Sequence, residues 1–223
     1  STADAAILTQ HAVDIGCGGV LMLPPFYYKG VTEEGLFRYF ADVIDEVDDD
    51  RLRIYLYHIP PVAQVGIPLP LIGRLRKEFP EIVVGLKDSS GDWSNTKAIL
   101  EAYPGFEVFP GSETFLLDGL RLGGAGCISA TANVSARAIR DVFDNWQGPD
   151  ADSKQAGITA LRKAMQAYPM IPVLKALIAH YRKDPAWAKV RPPFMPLGKV
   201  EAERAIQTLA EAHGFTLDFA EAA

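Results

Sequence analysis

The sequence of 223 residues has little cysteine and no apolar stretch long enough to cross a membrane. Its two cysteines, Cys17 and Cys127, stand apart in Gly-rich surroundings, without the CxxC or Cys/His spacing of a redox or metal site. We therefore expect two buried free thiols in a reducing compartment, with neither a disulfide nor a metal. The chain also opens without a signal peptide, so the cytoplasm is the expected location.

A concentration of positive charge is lacking as well. Lysine and arginine number 22 against 28 acidic residues, and the net charge of −6 is spread along the chain without a basic stripe. This argues against a nucleic-acid partner. Hydrophobic residues at 48% and charged residues at 22% describe an ordinary globular protein whose length suits one domain and an appendage.

Five short apolar runs recur in the first 150 residues, and amphipathic segments separate them. The runs cover 18–23, 52–57, 82–86, 106–109 and 125–129. Helical patterns cover 2–13, 32–47, 70–79, 92–103 and 113–122, and Thr32 is the expected N-cap of the second helix. Strand and helix alternate throughout, which predicts βαβ units and a parallel sheet.

After residue 150 the pattern changes to helices alone. Helical patterns cover 151–167, 171–181 and 198–213, and no apolar strand run lies between them. A Pro-rich stretch at 191–196 links the last two. We therefore predict an α/β part over residues 1–150 and a helical domain over residues 151–223.

The most informative run, 82–86, ends in Lys87, and turn-forming residues follow at once. A continuous apolar run is typical of a strand buried on both faces of a parallel sheet. Lys87 then lies at the carboxyl end of a strand, where parallel α/β folds carry their chemistry. An amine in dry surroundings loses its proton more readily, and the neutral amine attacks carbonyls. The segment alone leaves two interpretations open, a Schiff-base lysine or a lysine that reaches solvent or pairs with Asp88.

The strand ends also match a pattern as a set. The segments are YHIP at 57–60, GLKDSSGD at 85–92, GGAGCIS at 123–129 with NV at 133–134, and PPFYY at 24–28 with EGL at 34–36. Together they resemble the dihydrodipicolinate synthase/N-acetylneuraminate lyase family. The resemblance runs in order through essentially the whole chain, so it favours the Schiff-base interpretation of Lys87.

The resemblance implies a TIM (β/α)8 barrel with a C-terminal helical domain, usually assembled as a tetramer. A barrel needs eight strands and this sequence has five runs, so the first three βα units are expected to be missing. The family's hydroxyl-bearing loop, which binds the carboxylate of a 2-oxo acid, is expected to be missing with these units. An open fragment exposes strand edges and an apolar interior. We expect either an incomplete copy of a longer protein or completion through a homo-oligomer.

The resemblance also assigns roles to individual residues. Lys87 corresponds to the lysine that forms an imine with a 2-oxo acid, often pyruvate, and Tyr57 to the tyrosine that moves protons. Tyr28, with Tyr27 as a competitor, corresponds to a tyrosine that neighbouring subunits exchange. Gly111 and Ile128 correspond to positions whose backbone faces the substrate. Without the family, an aromatic that fills the barrel mouth is the preferred interpretation of Tyr57, and Tyr28 is equally well explained as a packing aromatic at an interface.

One departure from the family bears on the substrate. Synthase members carry an arginine after the Tyr-Asn-x-Pro turn, and here residues 61–66 contain none, while His58 replaces the asparagine. A bidentate carboxylate ligand is hard to replace, so synthase activity is less expected. His58 is either a substrate-binding acid or base or a structural hydrogen-bonding histidine, and the second interpretation is favoured.

These observations predict a class I lyase or aldolase that acts on pyruvate or a related 2-oxo acid, with an aldehyde as the other reactant. No metal or organic cofactor is expected. One alternative is 4-hydroxy-tetrahydrodipicolinate synthase, and another is a non-catalytic family member that binds a 2-oxo acid or serves as an assembly subunit. A phosphate site at the glycines of 123–126 has little support, because these residues precede a strand run instead of following one.

Overall fold

The computed structural model describes residues 1–217, and it divides the chain into two compact units. The first unit covers Ser1–Ile128 and the second begins at Ser129. The boundary between the two units lies before residue 150, because the helical unit already begins after Ile128. The domain boundary at 150/151 stays a prediction.

The first unit alternates helices and strands, as its sequence pattern predicts. Its elements are α1 (Thr2–Asp14), β1 (Val20–Met22), α2 (Glu33–Val47), β2 (Ile54–His58), α3 (Pro60–Ala63), α4 (Leu69–Glu78), β3 (Val83–Asp88), α5 (Trp93–Ala102), β4 (Glu107–Pro110), a 3₁₀ turn (Glu113–Phe115) and α6 (Leu116–Arg121). The strands pair in parallel in the order β1-β2-β3-β4. The predicted parallel sheet is therefore confirmed.

Helix α2 shows how the sequence specifies these elements. The Thr32 hydroxyl accepts a hydrogen bond from the Gly35 amide at 3.1 Å, which satisfies one of the amides that the first helical turn leaves unpaired. Leu36, Phe40 and Val43 then recur at helical spacing and are buried against the sheet. The predicted cap and the predicted helix are both confirmed.

The two faces of the sheet differ in burial. Ile54, Leu56, Leu86 and Val108 are fully buried in the core that the helices form on one face. Tyr55, Tyr57 and Lys87 alternate with these residues and lie on the other face, where they are only partly buried. The expectation of a strand buried on both faces is therefore wrong for the described residues.

The fifth apolar run, 125–129, does not form the predicted strand. The Ala125 amide donates to the Val108 carbonyl at 3.0 Å, and the Ile128 amide donates to the Pro110 carbonyl at 3.1 Å, so the segment does follow β4. Between these bonds Gly126 adopts a φ of 145°, a conformation open to glycine. This turn of the backbone interrupts the ladder, so no regular strand results.

The second unit is helical over its described residues. Its elements are α7 (Ala132–Asp144), α8 (Ala151–Gln166), α9 (Met170–Arg182), a 3₁₀ turn (Pro185–Ala188) and α10 (Lys199–His213). They enclose a core of their own, formed by Val134, Met165, Val173, Leu174, Leu177, Ala205, Leu209 and Phe215. Helices α8, α9 and α10 confirm the predicted pattern. Helix α7 was not predicted; it has a kink at Ser135, and its buried Ile139 and Val142 are three residues apart beyond that kink.

The two cysteines form no disulfide. Cys17 is exposed in the turn that follows α1, so the expectation that it is buried is wrong, and Cys127 is partly buried. No helix within residues 1–217 has the length and apolar character that a membrane span requires.

Candidate active site

The amine of Lys87 and the hydroxyl of Tyr57 meet at the carboxyl ends of β3 and β2. The parallel register pairs these two residues directly, and it puts their side chains on the same face. Lys87 Nζ donates a hydrogen bond to Tyr57 Oη at 3.1 Å and lies 4.3 Å from the centre of the Tyr57 ring. The structure therefore brings together the two residues that the sequence singled out for imine chemistry.

Asp88 follows Lys87 in the sequence, and its side chain lies on the opposite face of the sheet. Its buried carboxylate accepts hydrogen bonds from the Ser90 amide at 2.9 Å, the Asn95 side chain at 2.9 Å and the Thr96 hydroxyl at 2.7 Å. These bonds fix the turn between β3 and α5. The interpretation that Lys87 pairs with Asp88 is therefore wrong, because consecutive strand residues point to opposite faces.

His58 lies on the helix-covered face, next in sequence to Tyr57 but pointing away from it. Its ring is buried, and Nδ1 accepts a hydrogen bond from the Ile67 amide at 2.9 Å. Burial lowers the pKa of His58 below its usual 6.5, against a smaller opposing effect of the Asp88 charge. The structure does not bring His58 together with Lys87, so the favoured interpretation, a structural hydrogen-bonding histidine, fits its position.

Gly111 and Ile128 lie at the same edge of the sheet as Lys87. A Cβ atom at Gly111 would come within 2.9 Å of the Ser89 Cα, so the close approach that glycine permits there is to the turn after β3. The Gly111 amide donates to the Asp88 carbonyl at 2.6 Å, and the Ile128 amide donates to the Pro110 carbonyl. That their backbone faces a substrate stays a prediction.

Tyr28 lies in the loop between β1 and α2, with 75% of its surface exposed. Its ring packs edge-on against Tyr27, with centroids 5.1 Å apart. The next residue, Lys29, donates to the carbonyls of Phe26 and Ala63, which ties this loop to the end of α3. An exposed pair of tyrosines is compatible with exchange between subunits, which stays a prediction.

The sequence interpretation missed Tyr55 and Glu107 on the Lys87 face. The Tyr55 hydroxyl donates a hydrogen bond to Glu107 Oε2 at 2.6 Å, and this bond raises the pKa of Tyr55 to about 12. Strand alternation could have identified Tyr55, because Tyr55 precedes Tyr57 by two residues and therefore lies on the same face of the strand. No signal in the sequence pointed to Glu107, whose partner is two strands away.

The arrangement supplies a nucleophile and a proton-transfer group in direct contact. A primary amine adds to carbonyl groups, and a phenol can both give and take a proton. Within residues 1–217, no three His, Cys, Asp or Glu side chains are grouped so that they could hold a metal ion.

Comparison with known proteins identifies the family of this site. The model of the dihydrodipicolinate synthetase family matches residues 1–212. The chain belongs to the dihydrodipicolinate synthetase family. Among curated family relatives, an uncharacterized DapA-like lyase of Chloroflexus aurantiacus is 35% identical over 199 residues, which are 89% of this chain and 66% of that protein. A 4-hydroxy-tetrahydrodipicolinate synthase of Thermus thermophilus is 35% identical over 93% of this chain and 68% of its own length.

Solved structures of the dihydrodipicolinate synthetase family agree with the fold. A dihydrodipicolinate synthase from Agrobacterium tumefaciens is 32% identical and superposes with a TM-score of 0.85, over 96% of this chain and 72% of that one. A prophage protein of the family from E. coli K12, in complex with pyruvate, is 25% identical with the same TM-score, over 97% and 73%. The chain thus has an α/β fold that matches the barrels of this family, and it spans about two thirds of the length of the curated relatives.

Proposed function

We propose that this protein is a Schiff-base-forming lyase or aldolase, in which Lys87 forms an imine with pyruvate or a related 2-oxo acid. The observation that carries the proposal is the 3.1 Å hydrogen bond between Lys87 Nζ and Tyr57 Oη at the carboxyl edge of the parallel sheet. The pyruvate complex of the E. coli relative supports the choice of a 2-oxo acid.

The imine forms in two steps, and both use this contact. The neutral amine of Lys87 attacks C2 of the 2-oxo acid, so that a C–N bond forms and the carbonyl π bond breaks. The oxygen takes up the proton that the nitrogen loses, which gives a neutral carbinolamine. The resulting hydroxyl then leaves as water when Tyr57 gives it a proton, while the nitrogen lone pair forms the C=N bond. The nitrogen keeps its remaining proton, so the imine is protonated, and Tyr57 regains its own proton from solvent.

The protonated imine accounts for the carbon chemistry. Its positive nitrogen draws electrons from the bond at C3, so a carbon–carbon bond there can break, or an enamine can attack an aldehyde. Both directions pass through the same intermediate. The proposed reaction class is therefore formation or cleavage of a bond at C3, with an aldehyde as the second reactant.

The remaining site residues enter the proposal with defined roles. Main-chain groups at Gly111 and Ile128, which lie at the edge of the sheet that carries Lys87, would contact the acid. Tyr28 would reach a neighbouring copy in a homo-oligomer, an expectation that its exposure supports. Three further βα units before α1 would complete the barrel around Lys87, in agreement with the greater length of the relatives.

A second candidate is 4-hydroxy-tetrahydrodipicolinate synthase itself. It is favoured by the name of the Thermus thermophilus relative. The absence of an arginine from residues 61–66 argues against it, because nothing in that segment can bind a carboxylate in two places. Turnover with pyruvate and aspartate semialdehyde would support the synthase, and turnover with other aldehydes alone would exclude it.

The test of the leading proposal is reductive trapping. Borohydride with pyruvate should add the mass of one reduced pyruvate unit to the protein, and lactate, which has no carbonyl group, should add nothing. Lys87→Arg should abolish the adduct, because a guanidinium forms no imine under these conditions. The matched control, Lys97→Arg on α5, should trap as the native chain does, since Lys97 is exposed and pairs with Glu101.

Two results would contradict the proposal. One is a folded native chain, shown by circular dichroism, that gains no adduct at any pyruvate concentration. The other is an adduct that persists in the Lys87→Arg variant, which would place the reactive amine elsewhere. The first result would favour the non-catalytic alternative for this chain.

A further inference from the structure

Three residues lie in one row across the sheet, directly below the row that contains Lys87. The register aligns Tyr55 on β2 with Gly85 on β3, and Gly85 with Glu107 on β4. Two residues further along each strand, the same register aligns Tyr57, Lys87 and Phe109, whose side chains share that face. The lower row is therefore the floor beneath the amine.

The Tyr55 ring covers this floor because glycines lie on both sides of it. A Cβ atom at Gly85 would come within 2.6 Å of Tyr55 Cε1, and one at Gly19 would come within 2.7 Å of Tyr55 Cε2. Both distances are shorter than real Cβ contacts, so any side chain at either position would push the ring away. The ring thus lies across the backbone of β3 at the residue two before Lys87.

Glu107 holds the far end of the ring. The Tyr55 hydroxyl donates to its carboxylate at 2.6 Å, so the side chain extends from β2 across β3 to β4. A hydrogen bond to a charged acceptor is stronger than one between neutral groups. Because the same bond raises the pKa of Tyr55 to about 12, the hydroxyl remains a donor at every working pH.

Aromatic residues flank Lys87 on both neighbouring strands. Tyr57 lies on its β2 side and Phe109 on its β4 side, and the Tyr55 ring packs edge-on against Phe109 with centroids 5.8 Å apart. On the β2 side, the amine lies 3.1 Å from the Tyr57 hydroxyl.

We propose that Tyr55, held in place by Glu107, is a positioning residue that supports the Lys87 side chain and directs its amine toward the Tyr57 hydroxyl. This inference rests on the proposed imine chemistry and adds a determinant of its rate. Tyr55 does not touch the substrate in this account, so it should affect the reaction of bound acid and leave the binding of the acid nearly unchanged.

The test compares two tyrosines of similar surroundings. In Tyr55→Leu we expect the rate constant of pyruvate trapping at saturation to fall by about tenfold or more, because misplacing a reacting group is costly, while the half-saturating concentration stays nearly constant. Tyr55→Phe, which keeps the ring between the two glycines and loses the bond to Glu107, should have a rate between those of Tyr55→Leu and the native chain. The control is Tyr103→Leu, because Tyr103 also lies against a glycine, Gly73, and donates to a carbonyl at 2.6 Å, but on the helix side.

A second measurement separates this inference from the proposed function. Acetic anhydride labels lysine amines without any 2-oxo acid, and peptide mass spectrometry reports the labelling rate at Lys87. Loss of the supporting ring should raise that rate severalfold in Tyr55→Leu and leave it unchanged in Tyr103→Leu. If the native chain traps no pyruvate, the proposed function fails and the labelling alone decides the inference. Trapping and labelling rates in Tyr55→Leu equal to those of the native chain would overturn it.

Discussion

The two faces of the sheet are built from alternate residues of the same strands, yet they differ in what their side chains offer. On the helix side, Ile54, Leu56 and Leu86 are apolar and fully buried. On the other side, Tyr57 and Lys87 carry a hydroxyl and an amine that touch each other. The difference shows that the period of two residues gives one strand a face that forms the core and a face that carries the residues of the proposed reaction.

Polar groups on the helix side behave differently from those on the Lys87 side. The Asp88 carboxylate and the His58 ring are buried, and both bind neighbouring backbone or side-chain groups of their own loops. They fix the turns that end β3 and β2. One set of polar residues therefore holds the ends of these strands, and the residue that precedes each of them, Tyr57 or Lys87, lies on the opposite face.

Leucine-to-alanine substitutions on the two faces give the largest expected contrast. Leu86→Ala should lower the free energy of unfolding by about 2–5 kcal/mol, because it leaves a cavity in the core. Leu21→Ala, on the Lys87 face and 44% exposed, should lower it by about 1 kcal/mol or less. Urea unfolding followed by circular dichroism would measure both. Equal losses would contradict the division between the faces.

Removing one hydroxyl from the Lys87 face should affect chemistry and spare stability. Tyr57→Phe is expected to slow pyruvate trapping by about 100-fold, which is a typical contribution of proton transfer. Its urea midpoint should stay close to that of the native chain, because the hydroxyl is only partly buried. Tyr39→Phe on α2, another partly buried tyrosine, serves as the control and should trap at the native rate. A native trapping rate in Tyr57→Phe would remove Tyr57 from the mechanism.

The smallest expected effect is a pH dependence of the free energy of unfolding, caused by His58 on the helix-covered face. Burial lowers the pKa of His58 in the folded chain, while the unfolded chain titrates near 6.5. The unfolded state therefore binds more protons below that pH, and the stability present above pH 6.5 is lost as the pH falls, by up to about 1.4 kcal/mol per pH unit.

Urea unfolding of a His58→Gln variant between pH 7.5 and about 5 tests this sign. The native chain should lose stability more steeply than the variant over this range. His11→Gln, which changes an exposed histidine on α1, should keep the native slope. If His58→Gln lost stability with falling pH as steeply as the native chain does, groups other than His58 would cause the loss.

The sequence was sufficient to locate Lys87 and Tyr57, because each ends an apolar run before turn-forming residues and the strand-end motifs resemble those of a family. It was also sufficient for helix α2, whose cap and apolar spacing are local signals. Features that depend on pairing between distant segments could not be predicted from the sequence. The bond from Tyr55 to Glu107 requires the register of three strands, which no local pattern specifies.

Two errors have the same origin in local reasoning. The run at 125–129 has the composition of a strand, but Gly126 turns the backbone between Ala125 and Ile128, whose amides bond to β4. Helix α7 has a weak local signal, because a kink at Ser135 separates Val134 from Ile139 and Val142. Both segments lie close in sequence to the division at Ile128/Ser129.

The most direct test of the central claim is a crystal structure of the protein grown with pyruvate. The account predicts continuous electron density from Lys87 Nζ to C2 of the acid, with the Tyr57 hydroxyl within hydrogen-bonding distance of that nitrogen or of the leaving oxygen. A free Lys87 amine beside intact pyruvate, or pyruvate bound on the helix-covered face, would contradict it.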